Sequence, residues 1–356
     1  HDYFVNMTPV AYDVYVSNAW KTMLIGGEAQ GGSGLFALDV TSPSADSVKL
    51  MWDVNYASLN GSWNSPTLVR DKSSNSYLLC VGTGYSAASA QANLLVLNPA
   101  NGSISRTIAL GSPSGGNKTT KGVVLDRDAD GYDDVLYLGD LAGNIWRADL
   151  TVSPWTVSKL FSCGQPIQEA PVITMDQLGR PMLFFGTGEY LTTSDPASTA
   201  QQTIYGIVDD GSGATLTPSN LVNQTSTITG LPSNGRGWYV NLVKKPGERV
   251  IRTPALVAGE LYVPSFLPTD SICTAGAQSW LYTMDYTDGS AANHPGGVHG
   301  TSGRSTSEGD GVLADPTVDM INEQVILQSS NSVLLTQDIT NALKRLQVKA
   351  WRQKWN

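Results

Sequence analysis

The stretch Val135-Leu-Tyr-Leu-Gly139-Asp140-Leu-Ala-Gly143-Asn144-Ile-Trp146-Arg-Ala-Asp149 reads as two short strands joined by a tight Gly-containing turn. The same phrase recurs along the chain. Apolar runs end at Gly82-Thr-Gly84 and Gly186-Thr-Gly188, as the first strand here ends at Gly139. A following strand then carries an aliphatic or aromatic stripe: Gly34-Leu-Phe-Ala-Leu-Asp39, Asn93-Leu-Leu-Val-Leu-Asn98, Gln202-Thr-Ile-Tyr-Gly-Ile207 and Ser279-Trp-Leu-Tyr-Thr-Met-Asp285. Ahead of the apolar run, a strand opens at a proline: Ser65-Pro66-Thr67-Leu68-Val69, Ala170-Pro171-Val172-Ile173, Thr253-Pro254-Ala255-Leu256-Val257 and Asp315-Pro316-Thr317-Val318.

The Gly turns at 26, 82, 139 and 186 are 56, 57 and 47 residues apart. A four-stranded propeller blade takes roughly 40–50 residues, so the spacing fits a propeller with some long loops. A single blade cannot bury both of its faces, and stacking blades in a ring does so while leaving only short edges. About six units are countable, with room for a further irregular blade between 209 and 250. A pair of β-sandwiches is the competing arrangement, and the recurring three-part unit favours the propeller. The expected fold is therefore an all-β propeller over residues 1–338. Helical periodicity is confined to a tail, 339–356, where Asp338 is placed to cap a helix from Ile339 to Trp355.

Immediately before the opening stretch lies Asp126-Arg-Asp128-Ala-Asp130-Gly131-Tyr132-Asp133-Asp134. Four of its five acids fall at loop positions 1, 3, 5 and 9. Ca²⁺ is a hard cation that takes 6–8 oxygen ligands, and alternating acids on a curled backbone converge on one centre. Gly131 permits the sharp turn, the Tyr132 carbonyl at position 7 supplies a further oxygen, and Asp134 closes the site directly or through water. The expected Ca²⁺ ligands are thus Asp126, Asp128, Asp130, Tyr132 and Asp134, with Asp133 ranked below Asp134. Position 12, a bidentate Glu in an EF-hand, is Tyr137 inside the next strand. No helix flanks the loop, so it is an EF-hand-like loop on a β-scaffold. A metal-free acidic turn would leave five carboxylates crowded within nine residues to repel one another. Whether the ion staples a blade or regulates it, the ligands are the same.

Composition bounds the function. The chain has 356 residues, 36 Gly, 18 Pro, 15% charged and 41% hydrophobic residues, which is a folded, turn-rich chain. The net charge of −9, with no basic cluster before the extreme C-terminus, disfavours nucleic-acid binding. No apolar run approaches a membrane span. Cys80, Cys163 and Cys273 form no CxxC motif. Cys80 sits in an apolar run and reads as core, while Cys163 and Cys273 lie near loops and are open to pairing. The chain starts at His1-Asp2-Tyr3-Phe4 without a Met or leader and reads as a piece of a longer precursor.

These residues resemble the C-terminal domain of the PilY/PilC family of type IV pilus biogenesis factors and tip-associated adhesins. The similar segments are His1-Asp2-Tyr3-Phe4-Val5, Trp20-Lys21-Thr22-Met-Leu-Ile-Gly26-Gly27, Gly31-Gly32-Ser-Gly34 through Thr41, Phe185-Gly186-Thr187-Gly188-Glu189-Tyr190-Leu191 and Ala350-Trp351-Arg352-Gln353. The acidic loop and the following Leu138–Arg147 segment match the family's Ca²⁺ loop and next strand. The resemblance implies a modified, about seven-bladed propeller on the bacterial surface, at the outer membrane or pilus tip. It implies a Ca²⁺-binding domain that supports pilus extension against retraction, with minor pilins or the pilus tip as partners and a host-cell receptor as a further one. The family's variable N-terminal region, often the adhesive part, is absent, and no Arg-Gly-Asp tripeptide occurs.

The rival enzyme reading is a quinoprotein-like dehydrogenase, since Leu35-Phe-Ala-Leu-Asp39 is a phrase such propellers also use. The acids here are packed in one local loop instead of around a cofactor funnel, and no adjacent Cys pair is present. His294-Pro-Gly-Gly-Val-His299 reads as part of a long loop more readily than as a metal site. No Gly-x-Ser-x-Gly elbow or phosphate-binding loop appears. The expectation is a non-enzyme; a Ca²⁺-stapled scaffold for minor pilins is the other alternative. Trp155, Trp238 and Tyr239 are aromatic candidates for sugar or partner contact, and blade packing is the favoured reading of them.

Overall fold

In the computed structural model, residues 4–61, 63–86, 90–112, 114–269, 276–292, 303–339 and 342–343 are described. The chain divides into two compact units, one running to Pro171 and including Ser212–Thr217, the other comprising Val172–Gly211 and the chain from Pro218.

The first unit holds three four-stranded antiparallel sheets, each a simple up-and-down meander. The first contains β1 Val10–Val16, β2 Ala19–Gly27, β3 Gly34–Asp39 and β4 Lys49–Asn55. The second contains β5 Thr67–Asp71, β6 Ser76–Gly82, β7 Asn93–Leu97 and β8 Ile104–Ala109. The third contains β9 Val123–Leu125, β10 Val135–Gly139, β11 Asn144–Asp149 and β12 Thr156–Ser162. The second unit varies the pattern with a five-stranded sheet in which Val222–Asn223 runs parallel to Gly237–Asn241, a four-stranded sheet and a three-stranded sheet. Its sheets are β13 Val172–Met175, β14 Pro181–Gly186, β15 Thr203–Val208, β16 Val222–Asn223 and β17 Gly237–Asn241; then β18 Ala255–Val257, β19 Glu260–Pro268, β20 Ala277–Asp285 and β21 Ser305–Asp310; then β22 Thr317–Asp319, β23 Gln324–Gln328 and β24 Leu334–Asp338. These are propeller blades, and the fold is the all-β propeller that the repeat implies.

Each part of the sequence unit takes a fixed place in a blade. The proline-opened strands become the first strands β5, β13, β18 and β22, with the proline lying just outside the ladder. Proline lacks an N–H to donate, so a strand edge is where the ladder tolerates it. The apolar runs become the second strands. All residues of β10, β14 and β15 are buried, because both faces of a middle strand are covered. Within the first unit, Leu79, Val81, Leu95 and Leu97 pack with Val14, Met23, Ile25 and Leu35, while Leu136, Leu138 and Trp146 pack with Val69, Leu94 and Val96. Each fully buried aliphatic side chain is worth about 1.5–3 kcal/mol against exposure.

The ladder between third and fourth strands also repeats. It shifts register at Ala37/Leu38, Val96/Leu97, Ile145/Trp146 and Ser279/Trp280. A bulge at that point increases the local twist of the outer strand.

Residues 209–250 do not build a blade of their own, and the described residues form six sheets. Leu216 bridges Phe161 beside β12, and β17 pairs with β15 as the next strand of the fourth sheet. The cause is Trp238, fully buried on β17 and seated over Gly206 of β15, where an added Cβ would lie 2.6 Å from the indole. Trp155 is likewise buried, donating from Nε1 to Asp71 at 3.1 Å, so both tryptophans are packing residues. Tyr239, half-buried, lies near Tyr205 at a centroid distance of 6.0 Å.

Ala342 and Leu343 are helical, with the Leu343 N–H donating to the Ile339 carbonyl at 2.9 Å. Ile339 and Ala342 are buried with Val257, Tyr262 and Val325. The rest of the expected tail helix lies outside the described residues, as do His1, His294, His299, Cys273 and the Ala350–Gln353 segment. Cys80 is core as expected, and burial pushes its thiol pKa strongly up. A thiol reagent is therefore expected to label Cys80 only after unfolding; rapid labelling of this residue in the native protein, read by peptide mass, would contradict its placement.

Candidate metal centre

The acidic loop is the connection between β9 and β10, the first and second strands of the third blade. The strands clamp it at its base: Val135 pairs with Leu125, and the Asp134 N–H donates to the Leu125 carbonyl at 3.0 Å. Between them the backbone turns through two left-handed residues, Ala129 at φ 58° and Gly131 at φ 87°. Glycine adopts that conformation without a steric penalty.

The side chains then fold the loop around themselves. Asp126 Oδ2 accepts the Gly131 N–H at 2.8 Å and its Oδ1 the Asp130 N–H at 3.3 Å. Asp128 Oδ1 also accepts the Asp130 N–H, at 3.1 Å, and Asp130 Oδ1 accepts the Tyr132 N–H at 2.9 Å. Each acid thus spends part of one carboxylate shaping the loop and keeps further lone pairs for a ligand. The result is that Asp126, Asp128 and Asp130 each offer an oxygen within 4.8 Å of the others. Two oxygens on opposite sides of one Ca²⁺ stand about 4.8 Å apart at a bond length near 2.4 Å. The three carboxylates therefore fit one such ion.

Asp134 and Tyr132 are placed differently. Asp134 Oδ2 accepts the Arg127 N–H at 2.8 Å, with Arg127 Nε 3.8 Å away, and falls outside the trio. Tyr132 donates its phenol to Asn75 Oδ1 at 2.7 Å, and its ring lies under the Arg70 guanidinium at 4.6 Å. Tyr137, at position 12, is fully buried in β10 and offers no carboxylate.

Asp133, which sequence reading set aside, faces the neighbouring blade. Its Oδ2 accepts the Arg70 N–H at 2.7 Å, and its own N–H donates to the Arg70 carbonyl at 3.0 Å. Burial raises its carboxyl pKa, and Asp126 and Asp134 add to that rise against the Arg70 N–H. Lys72 completes the contact, with Nζ ion-paired to Asp130 Oδ2. That ammonium, with the Tyr132 N–H, holds the Asp130 carboxyl below its ordinary pKa. Arg70, Lys72 and Asn75 belong to β5 and the turn after it. No local motif announces them, because the Lys72–Asp130 contact spans 58 residues.

Fold and site together define a β-propeller whose third blade carries, between its first two strands, an acidic loop on which three carboxylates converge. Residues 1–163 match the family model of the PilY1 beta-propeller domain. The chain is 29% identical over 344 residues to a type IV pilus biogenesis factor PilY1 homolog of Xylella fastidiosa, covering 82% of this chain and 23% of that protein. It is 29% identical over 361 residues to type IV pilus biogenesis factor PilY1 of Pseudomonas aeruginosa, covering 81% of this chain and 31% of that protein. The solved P. aeruginosa PilY1 C-terminal domain superposes with a TM-score of 0.75 at 26% identity, over 93% of this chain and 84% of that one. The chain is thus similar to the PilY1 type IV pilus biogenesis factors and spans less than a third of the length of these two curated relatives. Among the described residues, no helix is long and apolar enough to cross a membrane.

Proposed function

We propose that this domain binds one Ca²⁺ in the 126–134 loop and acts on the bacterial surface in type IV pilus biogenesis, supporting pilus extension against retraction and attachment to surfaces or host cells. The observation that carries the reading is the convergence of Asp126, Asp128 and Asp130 on one centre within a PilY1-type blade. Asp126, Asp128 and Asp130 would hold the ion directly. Asp134 would join by turning from Arg127 or through water, and Tyr132 by its carbonyl. The ion supplies the positive charge that three adjacent carboxylates lack.

The loop is also tied to the second blade through Asp133, Tyr132 and Asp130. An ion that orders it would therefore act on two blades at once, which suits a domain loaded by a pilus motor. The partners proposed are minor pilins or other pilus-tip components.

Calorimetry tests the site. Wild type is expected to bind one Ca²⁺, and Asp128→Ala to bind at least about tenfold more weakly, since affinity in such loops follows the number of charged ligands. Equal affinity in both would remove Asp128 from the ligand set. In a strain lacking the full-length protein, restoring it with Asp134→Ala is expected to give fewer surface pili than wild type. A wild-type pilus count would separate the ion from pilus assembly.

A further inference from the structure

We propose that Lys72 is a built-in competitor for the cation site: its ammonium sits on Asp130 while the loop is metal-free and leaves when Ca²⁺ takes that oxygen. This rests on the Ca²⁺ reading of the loop and names what tunes it.

Three observations carry the assignment. First, Lys72 is delivered to the loop and does not meet it by chance. The β5–β6 turn that bears it is fastened to the loop on both sides, by the paired backbone bonds between Arg70 and Asp133 and by the Tyr132 phenol on Asn75. Second, among the described residues the other nearby cations form no ion pair with the three acids, although the Arg70 charge also reaches Asp130. Arg127 faces Asp134, and the Arg70 guanidinium lies over the rings of Tyr132 and Tyr77, at 4.6 and 5.6 Å. Lys72 is the cation paired with one of the three converging carboxylates. Third, Lys72 is able to leave. Its side chain is 62% exposed, so the stem can swing into water while the turn stays fastened.

The chemistry makes this a tuning device and not a block. An exposed ammonium–carboxylate pair is weak, because water and salt screen it. A divalent ion with several oxygen ligands displaces it, at the cost of a few-fold in affinity. In the metal-free loop the same ammonium relieves the mutual repulsion of Asp126, Asp128 and Asp130, so the loop keeps its shape while it waits for the ion.

Lys72→Met keeps the stem and removes the charge. Calorimetry with Ca²⁺ is paired with thermal unfolding in chelator and in saturating Ca²⁺. The expected result is a dissociation constant about threefold to fivefold lower in Lys72→Met than in wild type, with a lower melting temperature in chelator and an unchanged one in saturating Ca²⁺. Lys72→Arg, which keeps a cation, should stay close to wild type in all three measurements. Wild type that binds Ca²⁺ with Lys72→Met binding equally would overturn the competitor role and leave the site standing. Tighter binding with the chelator melt unchanged and the Ca²⁺ melt raised would also overturn it, since that pattern belongs to a distant charge that never occupies the site. Wild type that binds no Ca²⁺ would bring down the site itself, a result the first titration reads alone.

Discussion

Arg249→Met is expected to destabilise the protein by about 3 kcal/mol or more and to release the segment 189–198 to proteases. Arg249 is almost fully buried, and its guanidinium spans four backbone carbonyls: Gly247 at 2.9 Å, Glu189 at 3.0 Å, Asp195 at 2.8 Å and Ser198 at 2.7 Å. Three of those belong to one loop. That loop closes on itself through the Asp195 carboxylate, which accepts the N–H groups of Leu191 and Thr192 at 2.6 and 2.8 Å. Arg249 then fixes the closed loop to the blade. Methionine fills much of the stem volume but withdraws the donor from all four carbonyls, of which Asp195 keeps the Ser198 N–H at 3.0 Å, and each buried polar group left unpaired costs about 1–3 kcal/mol. Some of them would find water, which is why the expected total stays below the simple sum. Lysine carries the charge but not the fork, so Arg249→Lys should recover only part of the loss. The check is the urea midpoint of each variant together with the site of first proteolytic cleavage. A variant within about 0.5 kcal/mol of wild type, with no cleavage in 189–198, would show that the loop holds without this residue.

The fold was legible where burial is two-sided. Leu78–Val81, Val135–Leu138 and Met182–Phe185 are unbroken apolar runs because the strands they form are covered on both faces, and each lies inside a second strand. The prolines at 66, 171, 254 and 316 marked first strands for a local reason, the missing N–H. Fourth strands left almost no trace. In β8 and β21 no residue is fully buried, so their sequences obey solvent more than neighbours. The segment 209–250 was misread as a possible extra blade for the opposite reason. Trp238 looked like surface or blade material by type alone, whereas its place is fixed by the absence of a side chain at Gly206, on another strand.

The candidate site divides in the same way. The trio Asp126, Asp128 and Asp130 was readable because their spacing and Gly131 specify a local curl. The roles of Asp133 and Lys72 were not, because both depend on Arg70 and its neighbours being carried to the loop by a different blade. Asp134 shows the limit of spacing as a guide. It stands at the expected loop position, yet its carboxylate is turned to Arg127, a residue whose own backbone N–H it accepts. The convergence of the acids is thus local, whereas the Lys72 ammonium beside them arrives from a distant part of the sequence.

Asp140→Ala tests whether the loop and the blade behind it are one energetic unit. Strand β10 leaves the loop after Asp134 and ends at Gly139, next to Asp140, whose buried carboxylate gathers the far end of the hairpin. It accepts the Asn144 N–H at 2.9 Å, the Asn144 amide at 3.0 and 3.1 Å and the Trp146 indole N–H at 2.8 Å. Trp146 packs in turn among Leu136, Leu138 and Leu94. Removing the carboxylate leaves the indole and amide donors buried without their acceptor, and hydrogen bonds to a charged group are worth about 1.5–3 kcal/mol each, so a loss of about 3 kcal/mol is expected. Asp140→Asn retains one acceptor oxygen and should lose less. Ca²⁺ affinity, measured where the variant is still folded, is expected to stay within about twofold of wild type, because the loop's own bonds to Leu125 and Arg70 are untouched. A tenfold loss of affinity alongside the loss of stability would mean instead that packing at Trp146 helps hold the acids together, and the ion site would then extend, energetically, through the whole blade.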